Sequence, residues 1–131
     1  MTMFIPIEEN KANGKVKKVF DNIKKERKIK AIPNFWKTLA NDPETLERTW
    51  NSLKVIMKKG ALDQLTKEML YMAVSMTNSC EYCIRSHTAA AKKKGMSDKM
   101  LKELIAVVGM ANETNRLVES YQVEVDDFLK K

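Results

Sequence analysis

Apolar residues recur along this chain at intervals of three and four, the period of an amphipathic helix, and the alternation of two that marks a half-buried strand is almost absent. From about Lys15 to Lys28 the stripe is Val16, Val19, Phe20 and Ile23. Pro33 opens a short apolar segment, Asn34 to Ala40, that also reads as helical. Asp42-Pro43-Glu44 is a stronger start signal. The aspartate can accept an orphan N–H as N-cap, the proline sits where its missing N–H costs nothing, and the acid faces the positive end of the dipole. That helix carries Leu46, Trp50, Leu53 and Met57, and Gly60 is expected to end it. The next, from about Asp63 to Met76, carries Leu65, Met69, Met72 and Met76, with Leu70, Ala73 and Val74 broadening the stripe. The pattern predicts that it is largely buried. Thr77-Asn78-Ser79 then breaks the periodicity. Asn78 or Ser79 is expected to cap the following helix, and Asn78 has Glu81 three positions on, an arrangement similar to a capping box. That helix runs to about Lys94 and is closed by Gly95; Ser97 caps another to about Met110. A last helix, roughly Glu113 to Leu129, is marked by Leu117, Tyr121, Val125 and Phe128. Ahead of all of these, residues 1–14 read as an extended arm with Pro6 and an Asn13-Gly14 turn.

The expected fold is therefore all-α, a single domain over residues 1–131 built as a bundle of about six to seven helices. A chain of 131 residues, 44% of them hydrophobic, can bury one real core. No run of eighteen apolar residues occurs, and the opening Met1-Thr2-Met3-Phe4-Ile5-Pro6-Ile7 lacks the charge and length of a signal peptide, so a soluble cytoplasmic protein with no membrane partner is expected. The net charge of +7 changes this picture little. Its lysines cluster as Lys24-Lys25, Lys58-Lys59, Lys92-Lys93-Lys94 and Lys130-Lys131, several of them in the last turn of a predicted helix, where a cation complements the dipole. No nucleic-acid motif accompanies them and arginine is scarce beside lysine, so nucleic acid is not an expected partner. The nine methionines fall mostly on apolar stripes and read as flexible core filler.

Chemistry concentrates in Cys80-Glu81-Tyr82-Cys83-Ile84-Arg85-Ser86-His87, which holds both cysteines and the only histidine of the chain. Zinc needs four ligands, or three and a water, and the second ligand pair of a structural site is missing. Covalent haem needs C-x-x-C-H, whereas Ile84 follows Cys83. A thioredoxin-like pair sits at a strand-to-helix junction, but the element before Cys80 reads as a helix. Two buried thiols beside a satisfied histidine are the plain structural alternative. A bridge over so short a loop would add little stability, so thiol redox chemistry on a helical scaffold accounts best for the cluster. Cys80 is placed in the first turn, where free N–H groups and the dipole favour a thiolate. Cys83 lies one turn in, near enough for a reversible disulfide. His87 is four residues beyond Cys83 but seven beyond Cys80, roughly 10 Å along the axis, so geometry assigns the histidine to Cys83.

The runs Leu65-Thr66-Lys67-Glu68, Asn78-Ser79-Cys80-Glu81-Tyr82-Cys83, His87-Thr88-Ala89-Ala90-Ala91 and Gly95-Met96-Ser97 resemble the alkyl hydroperoxidase D-like family within the carboxymuconolactone decarboxylase superfamily. Upstream, Val19-Phe20-Asp21, Ile32-Pro33-Asn34 and Asn41-Asp42-Pro43-Glu44 are similar to its small peroxidase-related branch, so the resemblance covers most of the chain. Its signature is a glutamate twelve residues before the first motif cysteine, then C-x-x-C and a histidine four later. The resemblance implies that Cys83 is the peroxidatic thiol, Cys80 the resolving thiol, His87 the proton relay and Glu68 the general base. Tyr82 stands where the best-known hydroperoxidases carry a second histidine; as an auxiliary group it can donate a hydrogen bond but carries protons poorly near neutral pH. The resemblance further implies an organic or hydrogen peroxide substrate, no bound cofactor or metal, an external dithiol reductant of lipoyl or thioredoxin type, and a homo-oligomer, trimer or hexamer. The alternative from the same cysteines is a disulfide-exchange or redox-sensing protein without efficient peroxide turnover. Lactone decarboxylation, the activity that names the superfamily, does not depend on a cysteine pair.

Overall fold

A computed structural model describes residues 3–130 and, among them, shows six α-helices, two 3-10 turns and no strand. Its contacts fall into two compact units, residues 1–58 and 59–131.

In the first unit a 3-10 turn, Glu9–Lys11, precedes α1 (Gly14–Arg27), α2 (Asn34–Leu39) and α3 (Pro43–Ile56). Asn13-Gly14 is no free turn: Asn13 is the extended N-cap of α1 and Gly14, at φ +49°, is its first residue. Lys28 adopts the left-handed conformation and ends α1 by returning its N–H to the Lys24 carbonyl. Asp42 caps α3 as expected, accepting from the Thr45 N–H at 3.1 Å. The stripes of α1 and α3 meet over Val16, Val19, Phe20, Ile23, Leu46 and Trp50, and Ile32, Trp36 and Ala40 complete the core. Trp36 and Trp50 meet edge to face at 5.4 Å, and the Trp50 indole donates to Asn22 at 2.7 Å. The first two residues of the expected arm lie outside the described residues; from Ile7 on the arm is fastened. Ile7 donates its N–H to the Lys37 carbonyl, and Glu9 accepts from the Ile32 N–H while pairing with Lys24. The Lys24 ammonium, with help from that N–H, holds the Glu9 carboxyl below its ordinary range. Gly60 does not end α3, which stops at Ile56 with Met57 as its cap.

The second unit is α4 (Gln64–Thr77), α5 (Glu81–Lys93), α6 (Asp98–Ser120) and a 3-10 turn at Asp127–Leu129. Its core is small: Met72, Ala91, Met96 and Leu104 are buried, with Leu65, Met69, Met76, Met100, Leu101 and Val108 packed around them. Methionine filler serves here as anticipated, and Ala91 lets α5 approach α4 closely. Two expectations fail. The helix α4 is not largely buried, for Leu70 and Val74 are 52% and 60% exposed; only one stripe, Glu68, Met72 and Ser75, faces fully inward. The separate helix expected from Glu113 to Leu129 is the continuation of α6, which passes through Gly109 without a break and ends at Ser120, before Val125 and Phe128. A glycine without a proline or a capping side chain costs a helix only about 1 kcal/mol and does not stop it. Among the described residues, no helix is long and apolar enough to cross a membrane.

Candidate active site

The site is built on the α4–α5 pair. Asp63 starts α4 by accepting from the Thr66 N–H at 2.7 Å, a bond that lowers the Asp63 carboxyl from its ordinary value. Glu68 follows one turn later. Spacings of four and three then put Glu68, Met72 and Ser75 on the face that α5 covers. The link between the helices is tight: Ser79 takes a positive φ of 56° and the Cys80 N–H returns to the Ser75 carbonyl at 3.0 Å. Neither Asn78 nor Ser79 caps α5. Cys80 itself is the N-cap, and its sulfur accepts the Cys83 N–H at 3.4 Å. Cys80 therefore stands one position earlier than its expected place in the first turn, which is more favourable for a negative sulfur because its Sγ already accepts a helix N–H. The two sulfurs are joined as a disulfide at 2.08 Å.

Two turns along α5, His87 places Nδ1 2.6 Å from Glu68 Oε2. Both are shielded, with side chains 14% and 9% exposed. A carboxylate so far out of water requires partners, and Glu68 has one on each oxygen, because Lys94 Nζ lies 3.6 Å from Oε1. The Tyr71 ring, one turn after Glu68 on α4, stacks on the imidazole at 3.7 Å between centroids and 23° between planes. The ring of His87 is thus held at its edge by a carboxylate and on its face by a phenol. Among the described residues no hydrogen bond joins His87 to either sulfur of the disulfide. No three His, Cys, Asp or Glu side chains converge as a metal site among those residues.

Four of the residues singled out by sequence, Glu68, Cys80, Cys83 and His87, are gathered on this one helix pair, and Tyr82 is exposed at its outer end. Tyr71 and Lys94 escaped the sequence reading. Their only signals were spacings, Tyr71 three after Glu68 and Lys94 seven after His87, each on the same helical face as its neighbour. By charge pattern alone Lys94 is one of the Lys92-Lys93-Lys94 cluster at the end of a helix.

Residues 43–123, more than half of the chain, match the model of the Carboxymuconolactone decarboxylase family. The chain belongs to that family. Within it the likeness is to the alkyl hydroperoxidase D-like members. The structure superposes on the alkylhydroperoxidase AhpD core from Rhodospirillum rubrum with a TM-score of 0.96 and 43% identity, covering 100% of this chain and 98% of that one. This alkyl hydroperoxidase D-like chain is also 35% identical over 54 residues to "Uncharacterized protein 4 in cox locus" of Paracoccus denitrificans, a match spanning 41% of this chain and about half, 49%, of that relative.

Proposed function

We propose that this protein is a thiol-dependent peroxidase that reduces alkyl or hydrogen peroxide and cycles through the Cys80–Cys83 disulfide. The observation that carries the reading is the 2.6 Å bond between Glu68 and His87 on the helix that begins at the cysteine pair. It supplies an oriented base one turn from Cys83. In the reduced protein the Cys83 thiol gives its proton to His87, and the resulting imidazolium is stabilised by Glu68. The Cys83 thiolate attacks the peroxide O–O bond, becoming a sulfenic acid while the alkoxide leaves and takes a proton to give the alcohol. The Cys80 thiol condenses with the sulfenic acid, releasing water and closing the disulfide. An external dithiol, of lipoyl or thioredoxin type, then restores both thiols and is itself oxidised to a disulfide. No bound cofactor or metal takes part in this scheme. The protein is proposed to act in the cytoplasm as a homo-oligomer, a trimer or hexamer.

A second reading has a specific observation in its favour. The place before Cys83 is held by Tyr82, whose phenol is a poor proton carrier, and Cys80 at the helix cap suits attack by or on another disulfide. On that reading the protein exchanges disulfides or senses redox state without efficient peroxide turnover.

Rapid mixing of the reduced protein with one equivalent of an alkyl hydroperoxide separates the two. The peroxidase reading expects thiol loss faster than for a free thiol, abolished in Cys83→Ser and arrested at a sulfenic acid in Cys80→Ser. Fast exchange with dihydrolipoamide or thioredoxin alongside a peroxide rate no better than a free thiol would give the case to the exchange reading.

A further inference from the structure

A hydrogen bond at one ring nitrogen fixes where that atom sits and leaves the plane of the ring to be set by something else. For His87 the edge is settled by Glu68 Oε2, 2.6 Å from Nδ1. The face is met by Tyr71, whose ring lies 3.7 Å from the imidazole between centroids and 23° from its plane. Aromatic side chains usually meet with centroids about 4.5–7 Å apart, offset or edge to face, so this pair overlaps unusually closely. Both contacts come from α4. Met72 is wholly buried on the face that α5 covers; Glu68 lies about 40° round the helix from it and Tyr71 about 100°, on the same side. Tyr71 therefore stands at the rim of the helix pair, and exposure follows that order, 38% for Tyr71 against 14% for the His87 side chain.

We propose that Tyr71 is a positioning residue whose ring, rather than its hydroxyl, holds the plane of the His87 imidazole while Glu68 holds its edge. Three observations support it. Among the described residues the bond to Glu68 is the one hydrogen bond of the imidazole, so the stack is left to set its tilt. The phenol oxygen of Tyr71 makes no hydrogen bond among those residues, so the contact uses the ring alone. The backbone that carries the ring is held against α5, because Met72, the next residue, is 0% exposed. An imidazole that swings about its Cβ–Cγ bond carries both nitrogens out of place. On the peroxidase reading His87 has to meet the Cys83 thiol, one turn earlier on α5, in a set orientation, and a ring held in advance spares that step the cost of ordering it. This catalytic meaning rests on the peroxidase reading; the clamp on the ring does not.

The chain has a single histidine, so the imidazole C–H groups of 13C-labelled full-length protein give unambiguous signals. In the wild type those protons are expected at high field, displaced by the tyrosine ring above them, and 13C relaxation is expected to show an imidazole as rigid as the helix backbone. Tyr71→Leu, which keeps an apolar side chain without a ring, is expected to abolish the displacement and loosen the imidazole. It is also expected to slow oxidation of the reduced protein by an alkyl hydroperoxide about tenfold, while dithiothreitol still reduces the disulfide at the wild-type rate. Tyr71→Phe, which returns a ring without the hydroxyl, is expected to restore what the leucine loses. Tyr71→Met serves as the ringless variant if the leucine form does not fold. A ringless variant whose imidazole stays as rigid as the wild type's, or a phenylalanine variant as loose as the ringless one, overturns the proposal whatever the peroxide rate. So does a loosened ring in a protein that reduces peroxide undiminished, and so does an equal slowing of both half-reactions, the mark of a disturbed helix pair rather than of a turned ring. A ring that loosens and is restored as described, in a wild-type protein that meets peroxide no faster than a free thiol does, leaves the clamp standing and removes the peroxidase reading alone.

Discussion

A carboxylate as deeply placed as Glu68, 7% exposed, has to be either neutral or partnered, and its two oxygens are taken by His87 and Lys94. Replacing it with glutamine keeps the size and an acceptor oxygen but removes the charge that stabilises an imidazolium. On the peroxidase reading Glu68→Gln lowers the rate of Cys83 oxidation by about 10²- to 10³-fold, the usual weight of one proton-transfer partner. Its effect on reduction of the disulfide by an excess of small dithiol is expected to be slight, because that step begins at a sulfur rather than at the base. Stopped-flow traces of the two half-reactions check this, and an equal loss in both would mean that the glutamine disturbs the whole α4–α5 pair. The cysteines and the histidine were legible because covalent spacing alone puts them on one helix face, and Glu68 because its run resembles a known family. Tyr71 and Lys94 were not legible for a physical reason. A stack at 3.7 Å and an ion pair at 3.6 Å depend on how two helices are laid against each other, which the period of either helix does not encode.

At the scale of elements, the starts of α3, α4 and α6 were plain in the sequence, whereas the cap of α5 and the ends of α3 and α6 were not. Asp42, Asp63 and Ser97 each accept the backbone N–H three residues on, because a short polar side chain is all that a helix start requires. An end needs no particular residue, so α3 stops four positions before Gly60 while α6 runs past Gly109. The start of α4 matters most to the site, since it anchors the turn from which Glu68 projects. The Asp63 carboxyl is lowered below its ordinary value of 3.8 by the Thr66 N–H, so the native state favours its ionised form. The stability this provides is fully present above that ordinary value and is lost as the pH falls through the lower value of the folded state. Asp63→Asn retains a capping oxygen without a titrating group. It is expected to flatten part of the acid limb of the stability profile, read from hydrogen exchange of the α4 amides in mildly acidic and strongly acidic solution. The corresponding Asp42 cap of α3, lowered chiefly by the Thr45 hydroxyl, remains and keeps the rest of the limb. An unaltered profile would show that the Asp63 cap is already lost before its carboxyl titrates.

For the molecule as a whole, the most telling feature is what the second unit leaves uncovered. Every described residue from Gly109 onward is exposed, and along α6 these include Met110, Leu117 and Val118, preceded by Ile105 and Val107. Leu70 and Val74 of α4 are exposed as well, and a cleft between α4 and α6 is lined by Val74, Val107 and Val108 with Thr77 and Asn112 bonded across it at 3.0 Å. Helices are stabilised in proteins mainly by packing of an apolar face, and a length of helix exposed all round is marginal in water. Large exposed apolar patches are uncommon on monomeric proteins and often serve as interaction surfaces. A homo-oligomer that covers α6 satisfies both conditions, so sedimentation at micromolar concentration is expected to give a mass of several chains. Charges on that face should undo it: the double variant Val107→Glu, Leu117→Glu is expected to sediment as a monomer and to lose hydrogen-exchange protection in the second half of α6. Glu68, His87 and Lys94 lie on the α4–α5 side of the unit, so their contacts should be unchanged in that monomer. A wild-type chain that sediments as a monomer with α6 fully protected would mean that the helix holds without a neighbour, and the apolar face would then need a different partner.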